Sequence, residues 1–270
     1  MESSSAAFRS WAWQGDAFST CDSVPLADRG FRYGMSFFES IRVLGGKPQF
    51  LREHLQRLQQ ACFSRSFPIP SQAIDGVEDL LKTQAPDGLA RIYVTAGDGG
   101  VTAPVAHSRV YILAEARPTV EMRPYRIGVT EEAYHALFDG LKTANYWANL
   151  SALQAAAARG EDEALLFNER AELVSACMAN VFVVTGGEVR TPALECGARA
   201  GVIRERVLSQ IAVRVCSVFL DDVLAADEVF LTSSWIGVQS VGTINGRILS
   251  SKAIASELRS LAYLDSQNSS

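Results

Sequence analysis

Three histidines in 270 residues, none close to another, leave little from which to build a metal centre. His54, His107 and His135 show no ligand spacing and read as surface or packing residues, so no metal is expected. The five cysteines, Cys21, Cys62, Cys177, Cys196 and Cys216, contain no C-x-x-C pair and are odd in number. That argues against a zinc knuckle or a closed disulfide framework and for reduced thiols in a reducing compartment. There is no basic cluster, and the net charge is −5, so nucleic-acid binding has no electrostatic support. No apolar run is long enough to span a bilayer, and MESSSAAFRSWAWQG lacks a basic start followed by an apolar stretch. A cytoplasmic protein with no membrane partner is the expectation. Also missing are a G-x-G-x-x-G between strand and helix, a Walker loop, HExxH and G-x-S-x-G. Most nucleotide, zinc-protease and serine-hydrolase readings go with them.

What is present is an ordinary globular composition, 48% hydrophobic and 20% charged, in a length that allows one large domain or two medium ones. Residues 1–10 and the tail SQNSS read as frayed. In DRGFRYGMSFFESIRVLGGKPQF the second half alternates like a strand, with Gly45-Gly46 as a hairpin turn. Leu51, Leu55, Leu58 and Cys62 share one helical face, and Ile74, Val77, Leu80 and Leu81 mark a second helix. ARIYVTAG and SRVYILAEA read as strands. Pro118 and Pro124 bracket a linker. Beyond it come a strand at YRIGVTEE, an Ala-rich helix stopped by Gly160, strands at EALLFN and NVFVVTGGEVRTP with a turn at Gly186-Gly187, a helix over 202–213 and a strand at DEVFLTS. Strands and helices mix without a βαβ rhythm. The expected architecture is therefore α/β of the α+β type, with domains over 1–120 and 121–270, the second carrying Lys142.

Four segments could carry chemistry. Lys142 lies just ahead of an apolar, aromatic-flanked helix in LKTANYWANL; desolvation there would favour a neutral amine that attacks an aldehyde, against the plain alternative of a solvated surface lysine. CGARAGVIRERVL is a glycine-punctuated turn opening into a helix, where the N–H groups of Val202 and Ile203 would seat a phosphate, or it is an ordinary loop junction. Thr232, Ser233 and Ser234 end an apolar strand in FLTSSWIGVQSV and either bind phosphate oxygens or form a turn. Arg57, in EHLQRLQQA, suits bidentate phosphate contact or simple solvation.

In this order the segments resemble the class IV aminotransferase family of pyridoxal 5′-phosphate (PLP) enzymes, which includes branched-chain and D-amino-acid aminotransferases and aminodeoxychorismate lyase. DRGFRYGMSFFESIRV is similar to the opening hairpin and EHLQRL to the phosphate-arginine helix. KTANYWANL is similar to the catalytic-lysine segment and EALLFNERAELVSACMANVFVV to the central hairpin. GARAGVIRERVL and FLTSSWIGVQSV are similar to the two phosphate loops. The resemblance implies two domains with PLP in the cleft between them, a homodimer and a small amino substrate. It makes Lys142 the Schiff-base lysine and general acid/base. Arg57, the Val202 and Ile203 backbone and Ser234 would hold the phosphate. Phe38 falls at the position that faces substrate; Tyr146 and Trp235 could pack against cofactor or substrate; Arg91, with Arg109 and His107, could meet a carboxylate, set against packing roles.

Three departures matter. Ile203 stands where the family usually has threonine, and Gly34-Met35-Ser36-Phe37-Phe38-Glu39-Ser40 loses the aspartate of GDGVFET. Counting back from Asn180, the glutamate that faces the pyridine nitrogen falls at Ser175, with Glu172 three residues early. A serine cannot keep that nitrogen protonated as a carboxylate does, so the electron sink weakens. Elimination depends on that sink less than transamination does. The expectation is therefore 4-amino-4-deoxychorismate lyase, forming pyruvate and 4-aminobenzoate for folate biosynthesis. The alternatives are an aminotransferase for branched-chain or D-amino acids and a catalytically impaired PLP-binding homologue.

Overall fold

Runs rich in valine, isoleucine and aromatic side chains become strands wherever glycine pairs or prolines bound them. A computed structural model describes residues 8–262. Its strands are β1 (Phe8–Trp13), β2 (Phe18–Thr20), β3 (Ser36–Leu44), β4 (Lys47–Pro48), β5 (Gly88–Thr95), β6 (Arg109–Ala116), β7 (Tyr125–Val129), β8 (Glu163–Phe167), β9 (Leu173–Ala176), β10 (Asn180–Thr185), β11 (Glu188–Pro192), β12 (Arg214–Cys216), β13 (Glu228–Ser233), β14 (Gly237–Ile244) and β15 (Arg247–Ile248). Its α-helices are α1 (Arg29–Tyr33), α2 (Leu51–Ser64), α3 (Ser71–Gln84), α4 (Trp147–Ala158), α5 (Val202–Gln210), α6 (Leu220–Leu224) and α7 (Ala253–Glu257). They fall into two units, one of residues up to 120 with 142–145, the other of 121–141 with 146 onward.

The first unit is a six-stranded sheet in the order β2-β1-β6-β5-β3-β4, antiparallel at every pair. Ile41, Ile92 and Ile112 are fully buried in it, and Leu58 of α2 and Val77 and Leu81 of α3 are buried as completely. The β3–β4 turn has Gly45 and Gly46 at φ 58° and 69° with Leu44 opposite Lys47, the double left-handed geometry of a two-residue hairpin. Residues 8–10 are not frayed: they lie in β1 and pair with β6 from Phe8 opposite Glu115. The rest of the segment expected to fray, 1–7 and the SQNSS tail, lies outside the described residues.

Lys142 does not fold with the C-terminal domain to which the boundary at 120 assigned it. The Phe38 N–H donates to the Lys142 carbonyl at 2.9 Å, the Ala144 N–H donates to the Ser36 carbonyl at 3.0 Å, and Thr143 bridges to Phe37. The lysine segment is thereby an extra antiparallel stretch on β3, and backbone pairing, which local hydropathy does not reveal, places it in the first unit.

The second unit is a nine-stranded mixed sheet in the order β12-β11-β10-β13-β14-β7-β8-β9, with β15 on β14. Phe182 and Phe230 stack at its centre with ring centroids 4.7 Å apart. Helical periodicity carries to residue 213, but α5 stops at Gln210: Ile211 is extended, and Arg214–Cys216 pairs in parallel with β11. Tertiary pairing overrides local pattern there. At the start of β8, Glu163 is buried; its Oε1 accepts the Met178 N–H at 3.1 Å, while its Oε2 is buried without a hydrogen-bond partner. Burial outweighs that contact and lifts its pKa from 4.5 to about 7. A raised carboxyl binds its proton more tightly folded than unfolded, so stability falls as pH rises from 4.5 to about 7. Urea denaturation should show Glu163→Gln narrowing the stability difference between pH 5 and pH 8.

Candidate active site

In the first unit, adjacent residues of β3 point to opposite faces of the sheet. Phe38 stacks on Tyr93, its cross-strand partner in β5, with ring centroids 5.4 Å apart. The Lys142 Nζ lies 4.1 Å from the centre of the Phe38 ring. The aromatic pair forms a floor under the amine, and the β3 pairing fixes the backbone that carries it. On the other face Glu39 is buried against α2. It accepts Arg57 Nε at 2.7 Å and Nη2 at 2.6 Å, a bidentate pair, and His54 Nδ1–H at 2.8 Å. His54 and Arg57 are three residues apart on α2 and so share its inward face.

Burial alone would raise the Glu39 carboxyl, but the Arg57 charge and the hydrogen bonds from His54 and Arg57 hold it down at about 2. Burial pushes His54 below its usual range, Arg57 and Lys142 push the same way, and Glu39 opposes them. The imidazole is neutral at pH 7 and gives its Nδ1 proton to the carboxylate. His54 is thus no ordinary packing histidine, and neither it nor Glu39 was singled out from sequence. Glu39 sits in a strand that reads simply as hydrophobic, and a helix pattern shows spacing but not partners. Because Glu39's folded pKa is depressed, its stabilisation is present above 4.5 and is lost as pH falls toward 2. Glu39→Gln should cost about 3–5 kcal/mol at pH 7, shrinking as the pH approaches 2; urea titrations at several pH values check this.

The second unit brings the expected anion-binding groups onto one face of the sheet's central strands. Helix α5 packs on β13. Its N-cap is Gly201, with no side-chain cap, so the N–H groups of Val202 and Ile203 stay without intrahelical partners while both side chains are buried. A side chain at 201 would collide with Asn180, 2.0 Å from its Oδ1, so glycine is needed for this approach. Asn180 Nδ2 in turn holds the Arg199 carbonyl at 2.8 Å. Opposite Asn180 in the sheet, the Thr232 hydroxyl is buried without a hydrogen-bond partner. Ser234 and Trp235 follow in the β13–β14 turn, both half-buried. Bare helix amides, an orphaned hydroxyl and a turn serine are the donors a phosphate needs.

Ser175 lies half-buried in β9 opposite Leu166, and its hydroxyl makes no hydrogen bond among the described residues. Hydrogen bonds from Asn168 (2.9 Å), Ser217 (2.7 Å) and Arg170 (2.8 Å) occupy Glu172 and hold it at about 2. Glu163 shares the face of Leu165, which pairs with Ala176, and so lies on the opposite side of the sheet from Ser175. Arg91 faces Glu115 at 3.7 Å, and Arg109 is taken by Asp98 at 2.6 Å, so both arginines considered for a carboxylate already face one. Tyr146, at the N-cap of α4, meets Arg199 through its hydroxyl.

The sequence matches the family described as Amino-transferase class IV over residues 36–244, more than half of the chain. The chain belongs to this family. Its enzymes are PLP-dependent. The chain is 27% identical over 247 residues to D-alanine aminotransferase of Listeria innocua, covering 83% of each protein. It is 27% identical over 238 residues to aminodeoxychorismate lyase of Vibrio harveyi, covering 82% of this chain and 88% of the relative. Its fold resembles that of an aminotransferase from Brucella abortus solved with PLP, with a TM-score of 0.80 at 24% identity over 94% of this chain and 97% of that one.

Proposed function

We propose that this class IV enzyme is a lyase that removes pyruvate from 4-amino-4-deoxychorismate and leaves 4-aminobenzoate, a folate precursor. What supports the reading is Ser175, which falls, counting back from Asn180, at the position where the resemblance puts a carboxylate: its hydroxyl makes no hydrogen bond among the described residues, and the neighbouring Glu172 is engaged by Asn168, Arg170 and Ser217. PLP is the cofactor, and the donors present fit it: Lys142 would hold it covalently, and the Val202 and Ile203 amides, Ser234 and Arg57 would hold its phosphate. When bound, PLP makes the substrate C–H beside the amine acidic. Lys142 Nζ, freed once the substrate amine has taken its place on the cofactor, would take that proton, and Phe38, stacked on Tyr93, would limit it to one approach direction. Return of a proton to the departing enolpyruvyl carbon gives pyruvate, and loss of that group leaves an aromatic ring. Glu39 fixes the Arg57 guanidinium so that little order is lost when it meets an anion. On the same reading the enzyme works as a cytosolic homodimer.

The competing reading is an aminotransferase, supported by equal identity to D-alanine aminotransferase. Incubation of the yellow protein with 4-amino-4-deoxychorismate should release pyruvate and 4-aminobenzoate in equal amounts. Bleaching by D-alanine or leucine without pyruvate release from aminodeoxychorismate would sink the lyase and leave the aminotransferase. A colourless protein that takes up no PLP would leave an impaired homologue. Lys142→Ala should lower elimination by at least about 100-fold and abolish fixation of the colour by borohydride. Ser175→Glu should raise the amino-acid half-reaction about tenfold, a gain of about 1.4 kcal/mol, and slow elimination.

A further inference from the structure

Arg199 is a half-buried cation with no counter-charge in ion-pair contact among the described residues. Its Nε donates to the Gly140 carbonyl at 3.3 Å and its Nη1 to the Tyr146 hydroxyl, while its Nη2 has no hydrogen-bond partner. The guanidinium lies 5.5 Å from the centre of the Tyr146 ring. Burying a charge this far without a carboxylate is costly unless an anion completes the site.

The surroundings hold the guanidinium in place. Asn180 pins the Arg199 carbonyl, and Gly140, at φ 78°, approaches the backbone of 197–198 so closely that a Cβ there would meet the Ala198 carbonyl at 2.9 Å. The loop then turns at Gly201 into the bare N-terminus of α5, two residues from Arg199. Tyr146 follows Lys142 by four residues, so at most about 14 Å of extended backbone separates them. A planar fork with a free Nη2 beside a phenol matches a carboxylate. On the proposed reading the phosphate is met by the Val202 and Ile203 amides, Ser234 and Arg57, which leaves Arg199 for a different anion.

We infer that Arg199 and Tyr146 form a carboxylate-binding subsite for the substrate. This rests on the reading that Lys142 and the α5 loop hold PLP. The ligand class is a small organic acid: a ring carboxylate, an enolpyruvyl carboxylate or a 2-oxo acid. Arg91 and Arg109 each face a protein carboxylate, whereas Arg199 forms no ion pair among the described residues.

Pyruvate is the probe, because it is a product of the lyase and a 2-oxo acid partner of an aminotransferase. Its binding is measured by calorimetry on the PLP-loaded protein, alongside PLP affinity by fluorescence titration. Arg199→Gln should weaken pyruvate binding about 10- to 100-fold, leaving the PLP Kd within about twofold and the melting temperature unchanged. Tyr146→Phe should weaken it several-fold, and Arg199→Lys should fall between wild type and Arg199→Gln. In turnover the loss should appear mainly in KM. Unchanged pyruvate binding in Arg199→Gln overturns the inference. So does weakened PLP binding with pyruvate binding intact, which would assign Arg199 to the cofactor phosphate. If Arg199→Gln does not fold, the Tyr146→Phe and Arg199→Lys titrations decide. A wild type that takes up no PLP fails the functional reading instead, and pyruvate titration of the unloaded protein still decides this one.

Discussion

Two backbone hydrogen bonds, Phe38 N–H to Lys142 and Ala144 N–H to Ser36, underlie everything proposed for the active site. They convert a loop lysine into one whose main chain has the rigidity of a sheet. A lysine side chain has about 2 kcal/mol of rotamer freedom to lose, and a mobile backbone would add to it. With the backbone fixed and the Phe38 ring beneath the amine, the remaining freedom is that of the side chain alone. Placement of a reacting nitrogen to within a fraction of an ångström is what distinguishes a catalyst from a basic surface.

The same strand manages a second problem on its other face. Glu39 and His54 are buried side by side against the half-buried Arg57, and isolated burial of either would be expensive. Both carboxylate oxygens are used by Arg57, and the neutral imidazole adds a donor without adding charge. The net effect is a guanidinium whose direction is set before any ligand arrives. In the second unit the corresponding device is backbone: Gly201 lets the chain pass close to Asn180, and the helix that follows begins with amides left bare. One unit prepares its cation with side chains, the other its donors with main chain.

Much of the fold was legible because strand and helix periods are local. The Gly45-Gly46 and Gly186-Gly187 turns, α2, α3 and α4 lie where glycine pairs and apolar spacing put them. What was not legible depends on pairing between distant segments. The end of α5 is set by a parallel partner in β11, and the unit to which Lys142 belongs is set by β3. Similarly, a motif can nominate Arg57 and Lys142, but nothing in the spacing says that Glu39 will grip one or Phe38 underlie the other. Arg199 escaped because an arginine in a polar loop is unremarked until the absence of a carboxylate beside it can be seen.

The chain passes between its two units three times, at 120, at 141 and at 145. A cut at the proline-bracketed linker would therefore not separate the two units, because 142–145 fold with the first. Cut there, the first half would keep an unsatisfied stretch of β3, and the second would carry an amine with nothing to orient it. The units are therefore not exchangeable modules. Any relative made by swapping one half must bring its own lysine segment matched to the recipient's Ser36–Phe38 edge, so the two halves are bound to change together.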